Sequence, residues 1–167
     1  MSLDFEQLSD AELIRSYAEL LKELKARKII SSKNVIGDLG ESIAINHYNS
    51  TPGLPKLLAA LPGTVNFDAT GKNGKRYSIK AASGRVTGIF FGLPSPTESL
   101  LNLPPFDFVI IVKFDGSYAL ESIVEITWEQ FLQFRKWLPH HKAYNLPISN
   151  KLLSQAKPIF IRSYSDF

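Results

Sequence analysis

The chain contains no cysteine and a single methionine among its 167 residues. The absence of cysteine excludes a disulfide framework and any metal site built from thiolates, and it favours a reducing compartment. Apolar runs are also short, and none approaches the ~20 residues that a membrane helix needs. Residues 1–6 have neither the basic start nor the apolar core of a signal peptide. We therefore expect a cytoplasmic protein that makes no contact with a membrane.

Acidic residues are missing from one long segment. No Asp or Glu occurs between Ala69 and Thr97, although the whole chain has 16 of them and a net charge of only +3. Five basic residues fall in the first part of this segment, and they are Lys72, Lys75, Arg76, Lys80 and Arg85. Because the segment begins directly after Asp68, we expect a basic patch around that acid. Such a patch permits a polyanionic partner.

The hydrophobic content of 44% and the charged content of 21% are typical of one globular domain, which we expect to span residues 1–167. Periodicity and turn signals predict helices at 9–28, 35–48 and 56–61, a hairpin at 66–84, strands at 86–93, 106–112 and 118–126, helices at 127–138 and 149–156, and a final strand at 159–161. This order predicts an α/β (α+β) fold with a mixed sheet.

The first predicted helix is amphipathic. Ser9 and Glu12 form a capping box that starts it. Apolar residues then recur at helical spacing, and they are Leu13, Ile14, Tyr17, Leu20, Leu21 and Leu24. Two interpretations of this helix remain open, since its apolar side either packs on the core of the domain or serves as a dimerisation arm.

The hairpin at 66–84 carries one acid and one lysine. Its turn is Lys72-Asn73-Gly74, and a three-residue loop with Gly74 in the left-handed conformation puts Asp68 opposite Ser78. Because side chains alternate along a strand, this register places one set on a polar face, namely Asn66, Asp68, Ser78 and Lys80. The same register sends another set to the core, namely Phe67, Ala69, Tyr77 and Ile79.

The second predicted helix contains Gly37 and Gly40, and a glycine costs a helix interior up to about 1 kcal/mol relative to alanine. Close approach of another backbone is the usual compensation. Glu41 lies beside these glycines, so the helix brings this acid near the next segment. An ordinary exposed glutamate remains the alternative.

A carboxylate and a lysine on one polar face suit phosphodiester cleavage. Asp68 provides an oxygen for Mg²⁺, which lowers the pKa of a bound water, and Lys80 offsets the negative charge that builds on the phosphate. A single carboxylate is a weak metal site, and Glu41 would supply a second carboxylate. Asp and Lys at this spacing also occur together on ordinary surfaces, so the pattern leaves both interpretations open.

These residues resemble a known family. Asp68, the run Ser78-Ile79-Lys80 and the preceding helix with Gly40-Glu41 are similar to the PD-(D/E)xK nuclease superfamily, which has the restriction-endonuclease-like fold. The resemblance covers roughly residues 37–82, and the hairpin also resembles that of small type II restriction enzymes. It implies a mixed sheet flanked by helices and an endonuclease that cuts double-stranded DNA with Mg²⁺, for which Mn²⁺ can substitute.

The resemblance also implies roles for individual residues. Asp68, Glu41 and the backbone carbonyl of Ile79 would be metal ligands, and Lys80 would be the catalytic lysine. Phosphate contacts are expected from the basic patch and the segment after the hairpin, through Lys72, Lys75, Arg76, Ser83 and Arg85, with loops in 84–105 reading the DNA. A homodimer would place two sites on a palindrome.

Ser78 departs from the family pattern, which has Asp or Glu at this position. A hydroxyl is a poor substitute for an anionic Mg²⁺ ligand. Either Glu41 restores the charge, or metal binding is weak, or the domain keeps DNA binding without cleavage. We favour the first, which makes Ser78 a neutral member of the catalytic group. A protein-interaction scaffold with a solvated hairpin is a remoter possibility.

Overall fold

A computed structural model of the protein describes residues 4–99, 101 and 103–163. These residues form four α-helices, which are α1 Asp10–Ala26, α2 Val35–Ser50, α3 Trp128–Phe134 and α4 Asn150–Gln155. They also form eight strands, which are β1 Leu57–Ala59, β2 Ala69–Gly71, β3 Arg76–Ala82, β4 Phe108–Phe114, β5 Leu120–Thr127, β6 Lys136–Leu138, β7 Ala143–Asn145 and β8 Lys157–Ile161.

Six of these strands form one mixed sheet in the order β1-β2-β3-β4-β5-β8. Within it β3 and β4 run parallel, and the other neighbours run antiparallel. Strands β6 and β7 form a separate antiparallel pair. Helices flank the mixed sheet, so the predicted α/β (α+β) fold class is confirmed.

Strand β4 separates two hydrophobic cores. Ile110 and Val112 belong to the core beneath α2, whereas Val109 and Ile111 belong to the core on the opposite face, which α3 and α4 cover. Successive side chains of a strand point to opposite faces, and a strand buried on both faces reads as a continuous apolar run. The prediction of a central strand in this part of the sequence is therefore confirmed.

Helix α1 forms where the sequence predicts it but does not pack on either core. The backbone N–H of Ser9 donates to the Glu12 carboxylate at 2.9 Å, as the capping box requires. None of the residues Asp10–Ala26 is buried. The interpretation that this helix packs on the domain core is therefore wrong, because its apolar side lies in solvent.

No helix within the described part of the chain has the length and apolarity needed to cross a membrane. The absence of membrane contact stays a prediction. The cytoplasmic location stays a prediction.

Three local predictions are wrong because tertiary hydrogen bonds override local propensity. Residues 57–59 are a strand rather than a helix, since Asn49 holds both backbone groups of Leu57 and β1 pairs with β2. Residues 86–93 make only isolated bridges to the segment around β7. Helix α3 ends at Phe134, because Arg135 turns to an extended conformation and residues 136–138 pair with β7.

Candidate active site

The hairpin of β2 and β3 has the predicted register. Ala69 pairs with Tyr77 and Thr70 with Arg76, and continuing this ladder places Asp68 opposite Ser78. The Gly71 N–H donates to the Lys75 carbonyl at 2.8 Å and closes the three-residue loop. Gly74 in that loop has φ +77°, the left-handed conformation that glycine adopts without steric cost. The turn and the register are confirmed.

The Asp68 carboxylate ends the hairpin ladder. Its Oδ2 accepts a hydrogen bond of 2.6 Å from the Ile79 N–H, and a longer one of 3.4 Å from the Ser78 hydroxyl. The backbone then turns away, since Asn66 has φ +77°. Phe67 consequently packs against the core on the face opposite α2. The prediction that Phe67 shares a core face with Ala69 is wrong, because the regular alternation stops at Asp68.

Lys80 reaches a pocket of about 250 Å³ that it shares with Asp68 and Ser78. Its Nζ lies 5.2 Å from the centre of the Phe90 ring, a distance at which a cation is attracted to an aromatic face. Most of the other lining residues are aromatic or aliphatic, and they include Phe91, Phe106, Val65 and Ile89, whereas Thr64 and Asn66 are polar. Lys80 and Asp68 therefore share one largely apolar pocket without forming an ion pair.

Helix α2 approaches β3 closely at Gly40. A Cβ atom on this residue would come within 2.7 Å of the Ala81 Cβ and within 3.6 Å of the Ala81 Cα. The predicted close approach of another backbone is confirmed here, and the absence of a side chain at Gly40 is what permits it. The other glycine of the pair, Gly37, faces the side chain of Asn34, which caps the same helix.

Glu41 stands close enough to the hairpin to be influenced by its charges. The pKa of Glu41 is raised from 4.5 to about 7, chiefly by burial and then by the Asp68 carboxylate, whereas Lys80 opposes the shift. No hydrogen bond or ion pair in the described residues joins Glu41 to Asp68 or Lys80. Glu41 instead lines a neighbouring pocket of about 230 Å³, and Asp38 and Ala59 also line this pocket.

The two pockets lie on different sides of the sheet. Ile79 belongs to the core beneath α2, and strand alternation turns Ser78 and Lys80 to the opposite face. Glu41 comes from α2 itself, and the Asp68 carboxylate is near enough to raise its pKa. The structure thus brings Asp68, Ser78 and Lys80 into one pocket and places Glu41 next to it.

The metal ligands stay a prediction. Among the residues that the structure describes, no three His, Cys, Asp or Glu side chains are grouped to hold a metal ion. Ser78 is only 2% exposed, so the position where an acid was expected is neutral and buried. The third nearby acid, Asp38, accepts hydrogen bonds from the N–H groups of Ser31 and Ser32 and holds the turn before α2. Asp68 and Glu41 are the two carboxylates left for an ion, with the Ile79 carbonyl as the expected third ligand.

The predicted DNA-binding residues lie at the two ends of β3. Lys72, Lys75 and Arg76 lie at the hairpin turn, and Ser83 and Arg85 follow the other end of the strand. Asp107 forms ion pairs with Lys75 at 3.2 Å and with Arg76 at 3.4 Å. The exposed members are Lys72, Lys75, Ser83 and Arg85. The basic character of the patch is therefore reduced at one end, and phosphate binding by these residues stays a prediction.

Sequence reasoning missed three residues that shape this site. Asp107 follows the acid-free segment and reaches the hairpin only because β4 pairs with β3. Phe90 lies in a segment that backbone hydrogen bonds to Tyr144 hold over Lys80. Asp38 could have been found in the run Gly37-Asp38-Leu39-Gly40-Glu41. An acid one helical turn before Glu41 is its neighbour on the helix surface, so the two negative charges affect each other.

In comparisons with known proteins, no protein-family model matches the chain. A search of curated proteins also finds no significant match. The resemblance to the nuclease superfamily therefore depends on the residues of the hairpin and of α2 alone.

Proposed function

We propose that the protein is a metal-dependent DNA endonuclease, of the kind found among type II restriction enzymes. The observation that carries this proposal is the pocket that Asp68 and Lys80 share, with Glu41 directly after the residue through which α2 packs on β3. An acid with a strongly raised pKa, such as Glu41, near a second carboxylate and a lysine beside a pocket is typical of sites that perform chemistry. The mixed sheet with helices on both faces is compatible with the proposed family.

Asp68 and Glu41 would hold the metal, with the Ile79 carbonyl as a further ligand. All three are oxygen donors, which Mg²⁺ and Mn²⁺ prefer. Bound there, the metal would activate a water and neutralise charge on the phosphate. The Ile79 N–H orients the Asp68 carboxylate through the bond of 2.6 Å to its Oδ2, and no hydrogen bond from the described residues reaches its Oδ1. Glu41 must lose its proton to bind a cation, so metal affinity is expected to rise as the pH passes about 7.

Lys80 would act on the phosphate. Its ammonium group shares the pocket with Asp68, and the Phe90 ring limits where it can move. A fixed cation at this place stabilises the negative charge that develops on the phosphate oxygens, and a largely apolar wall strengthens that interaction. Ser78 contributes a neutral hydroxyl that helps to orient Asp68.

Double-stranded DNA is the proposed substrate, and the expected form is a homodimer. Phosphate contacts come from both ends of β3, through Lys72, Lys75, Arg76, Ser83 and Arg85. One site per chain cuts one strand, so two copies related by a two-fold axis would cut both strands of a palindrome.

The proposal is tested with supercoiled plasmid DNA of varied sequence, with Mg²⁺ or Mn²⁺ and with a chelator. We expect cleavage that needs the metal and falls at least about a hundredfold in Asp68→Asn and Lys80→Ala. Lys151→Ala changes an exposed lysine on α4, away from the site, and should cleave like the wild type. No cleavage of any DNA, or undiminished cleavage by both site variants, would reject the proposal.

A specific observation supports a second candidate, a nuclease fold that binds DNA without cutting it. Ser78 is buried and neutral where an acid was expected, so the site has one charge fewer for a cation. Calorimetric titration separates the two candidates. Heat of Mg²⁺ or Mn²⁺ binding that disappears in Asp68→Asn supports the enzyme, whereas no metal binding with a retained gel shift of DNA supports the binding module.

A further inference from the structure

Helix α1 exposes a continuous apolar seam. Leu13, Tyr17 and Leu20 are exposed over 38%, 62% and 54% of their surfaces, and Leu24 is half-buried. Their alternate spacing of four and three residues is the seam of a two-helix coiled coil. In proteins most of the stability of a helix comes from packing of its apolar side against another surface. We therefore expect the seam to pack against another apolar surface.

The surroundings of the seam enlarge its apolar surface. Phe5 and Leu8, from the turn that precedes α1, line one hollow of about 670 Å³ together with Leu13, Tyr17 and Leu20. Phe5 is itself exposed. A side chain from a facing helix would fill this hollow, and packing there would bury apolar surface of Phe5, Tyr17 and Leu20.

Charge divides α1 into two halves. Residues 10–19 carry three acids and one arginine, whereas residues 20–28 carry four basic residues and one glutamate. A parallel copy of the helix would place like charges side by side. An antiparallel copy places the acidic half of each helix beside the basic half of the other. The complementary surface for α1 is thus α1 itself, turned end for end.

We propose that α1 pairs with α1 of a second copy of this chain in an antiparallel, two-fold arrangement. With the seam centred on the axis, Leu13 faces Leu24 of the partner subunit and Tyr17 faces the partner subunit's Leu20. The symmetry repeats both pairs. The seam is then closed over its whole length by four apolar layers.

The same register brings opposite charges together at the ends of the seam. Asp10 lies across from Arg27 of the partner subunit at each end. In the single chain Arg27 forms an ion pair with Glu23 at 2.6 Å, and both side chains are more than half exposed. An exposed ion pair of this kind contributes little to stability. The guanidinium group can therefore also interact with Asp10 of the partner subunit.

Sedimentation equilibrium of the full chain over a wide concentration range tests the pairing. We expect a reversible dimer, and Leu20→Glu should weaken it at least about tenfold because it places a charge in the seam twice per dimer. Lys22→Glu changes the outer side of the same helix and should leave a dimer. A wild-type monomer at every concentration would overturn the proposal and leave the seam to a different protein, and so would a dimer that Leu20→Glu leaves unchanged.

Disulfide trapping tests the orientation, and the absence of native cysteine makes single-cysteine variants unambiguous. A mixture of Leu13→Cys and Leu24→Cys should form a disulfide-linked dimer on mild oxidation, whereas each variant alone should not. Lys22→Cys is the control on the outer side. Efficient crosslinking by Leu13→Cys alone would show a parallel pair and overturn the arrangement. These readouts do not involve DNA or metal, so their result is independent of the proposed nuclease activity.

Discussion

Gly40 and Ala81 are in contact, and a Cβ atom on residue 40 would lie 2.7 Å from the Ala81 Cβ. Each of these residues is next in the chain to a member of the candidate site, since Glu41 follows Gly40 and Lys80 precedes Ala81. The distance between α2 and β3 therefore sets the distance between the acid and the hairpin. We therefore expect the packing of these two small residues to influence the pKa of Glu41.

Gly40→Ala tests this relationship. The added methyl group should push α2 away from β3 and destabilise the protein by about 1–2 kcal/mol, because overpacking outweighs the gain in helix propensity. Gly116→Ala is the control, since a Cβ atom there meets nothing within 4 Å. Chemical denaturation measures both variants. Equal stabilities would mean that α2 tolerates the extra atom and that the contact does not fix its position.

The raised pKa of Glu41 predicts a pH dependence of stability. Its ordinary value is 4.5 and its value in the folded protein is about 7. Between these values the unfolded chain has released the proton while the folded chain retains it, so stability falls as the pH rises and levels off above 7. Glu41→Gln should remove this part of the fall and raise Tm relative to the wild type at pH 8 but not at pH 4.

Thermal unfolding from pH 4 to pH 8 provides the measurement. Glu6→Gln changes an exposed glutamate near the N-terminus and serves as the control. Identical pH profiles for the wild type and Glu41→Gln would contradict the interpretation that Glu41 is the shifted group. Added Mg²⁺ should stabilise the wild type at pH 8 more than at pH 5 if Glu41 is a ligand, because the ion competes with the proton.

Tyr48 and Glu125 predict a cost in stability. The Tyr48 hydroxyl donates a hydrogen bond of 2.7 Å to the buried Glu125 carboxylate, which ties α2 to β5. Tyr48→Phe removes this donor and should destabilise the fold by about 1–3 kcal/mol, since the carboxylate loses a partner in a buried place. Tyr118→Phe removes an exposed hydroxyl away from both α1 and the site, and it should change stability by less than about 0.5 kcal/mol. Denaturant titration of both variants decides between these outcomes.

Asp107 predicts an effect on DNA affinity. Its carboxylate pairs with Lys75 and Arg76 and lowers the positive potential at the hairpin turn. If this end of β3 contacts phosphates, Asp107→Asn should strengthen DNA binding several-fold, most at low salt. Asp115→Asn changes an acid that pairs with Arg162 elsewhere and is the control. Gel shifts at two salt concentrations provide the measurement, and unchanged or weaker binding by Asp107→Asn would show that this end of β3 does not touch DNA.

The parts of the site that the sequence predicted are those set by local rules. The turn at Gly74 and the alternation on either side fix the register, and Gly40 in a helix signals a close neighbour. Phe67 escaped prediction because the Asp68 carboxylate replaces a backbone partner of Ile79 and ends the alternation. No rule based on local sequence predicts that a side chain takes the place of a backbone hydrogen-bond partner.

Contacts between distant segments explain the other errors. Asp107 meets Arg76 only after β4 has paired with β3, and Leu57 is extended because Asn49 holds it. Helix α1 shows a different limit. An amphipathic pattern predicts a helix with one apolar side, but it does not show whether the surface that packs against this side belongs to the same chain.

The parallel pairing of β3 with β4 has a consequence for folding. These strands are joined through residues 83–107, so their alignment requires closure of a long connection, whereas the hairpin of β2 and β3 closes over three residues. Hairpins form within about 1–10 μs, and chains with many non-local pairings fold in about milliseconds to seconds. We expect the pair Asp68 and Ser78 to be aligned early, and Glu41 to reach its place only when the sheet is complete. Metal binding during refolding would then report the last step of folding.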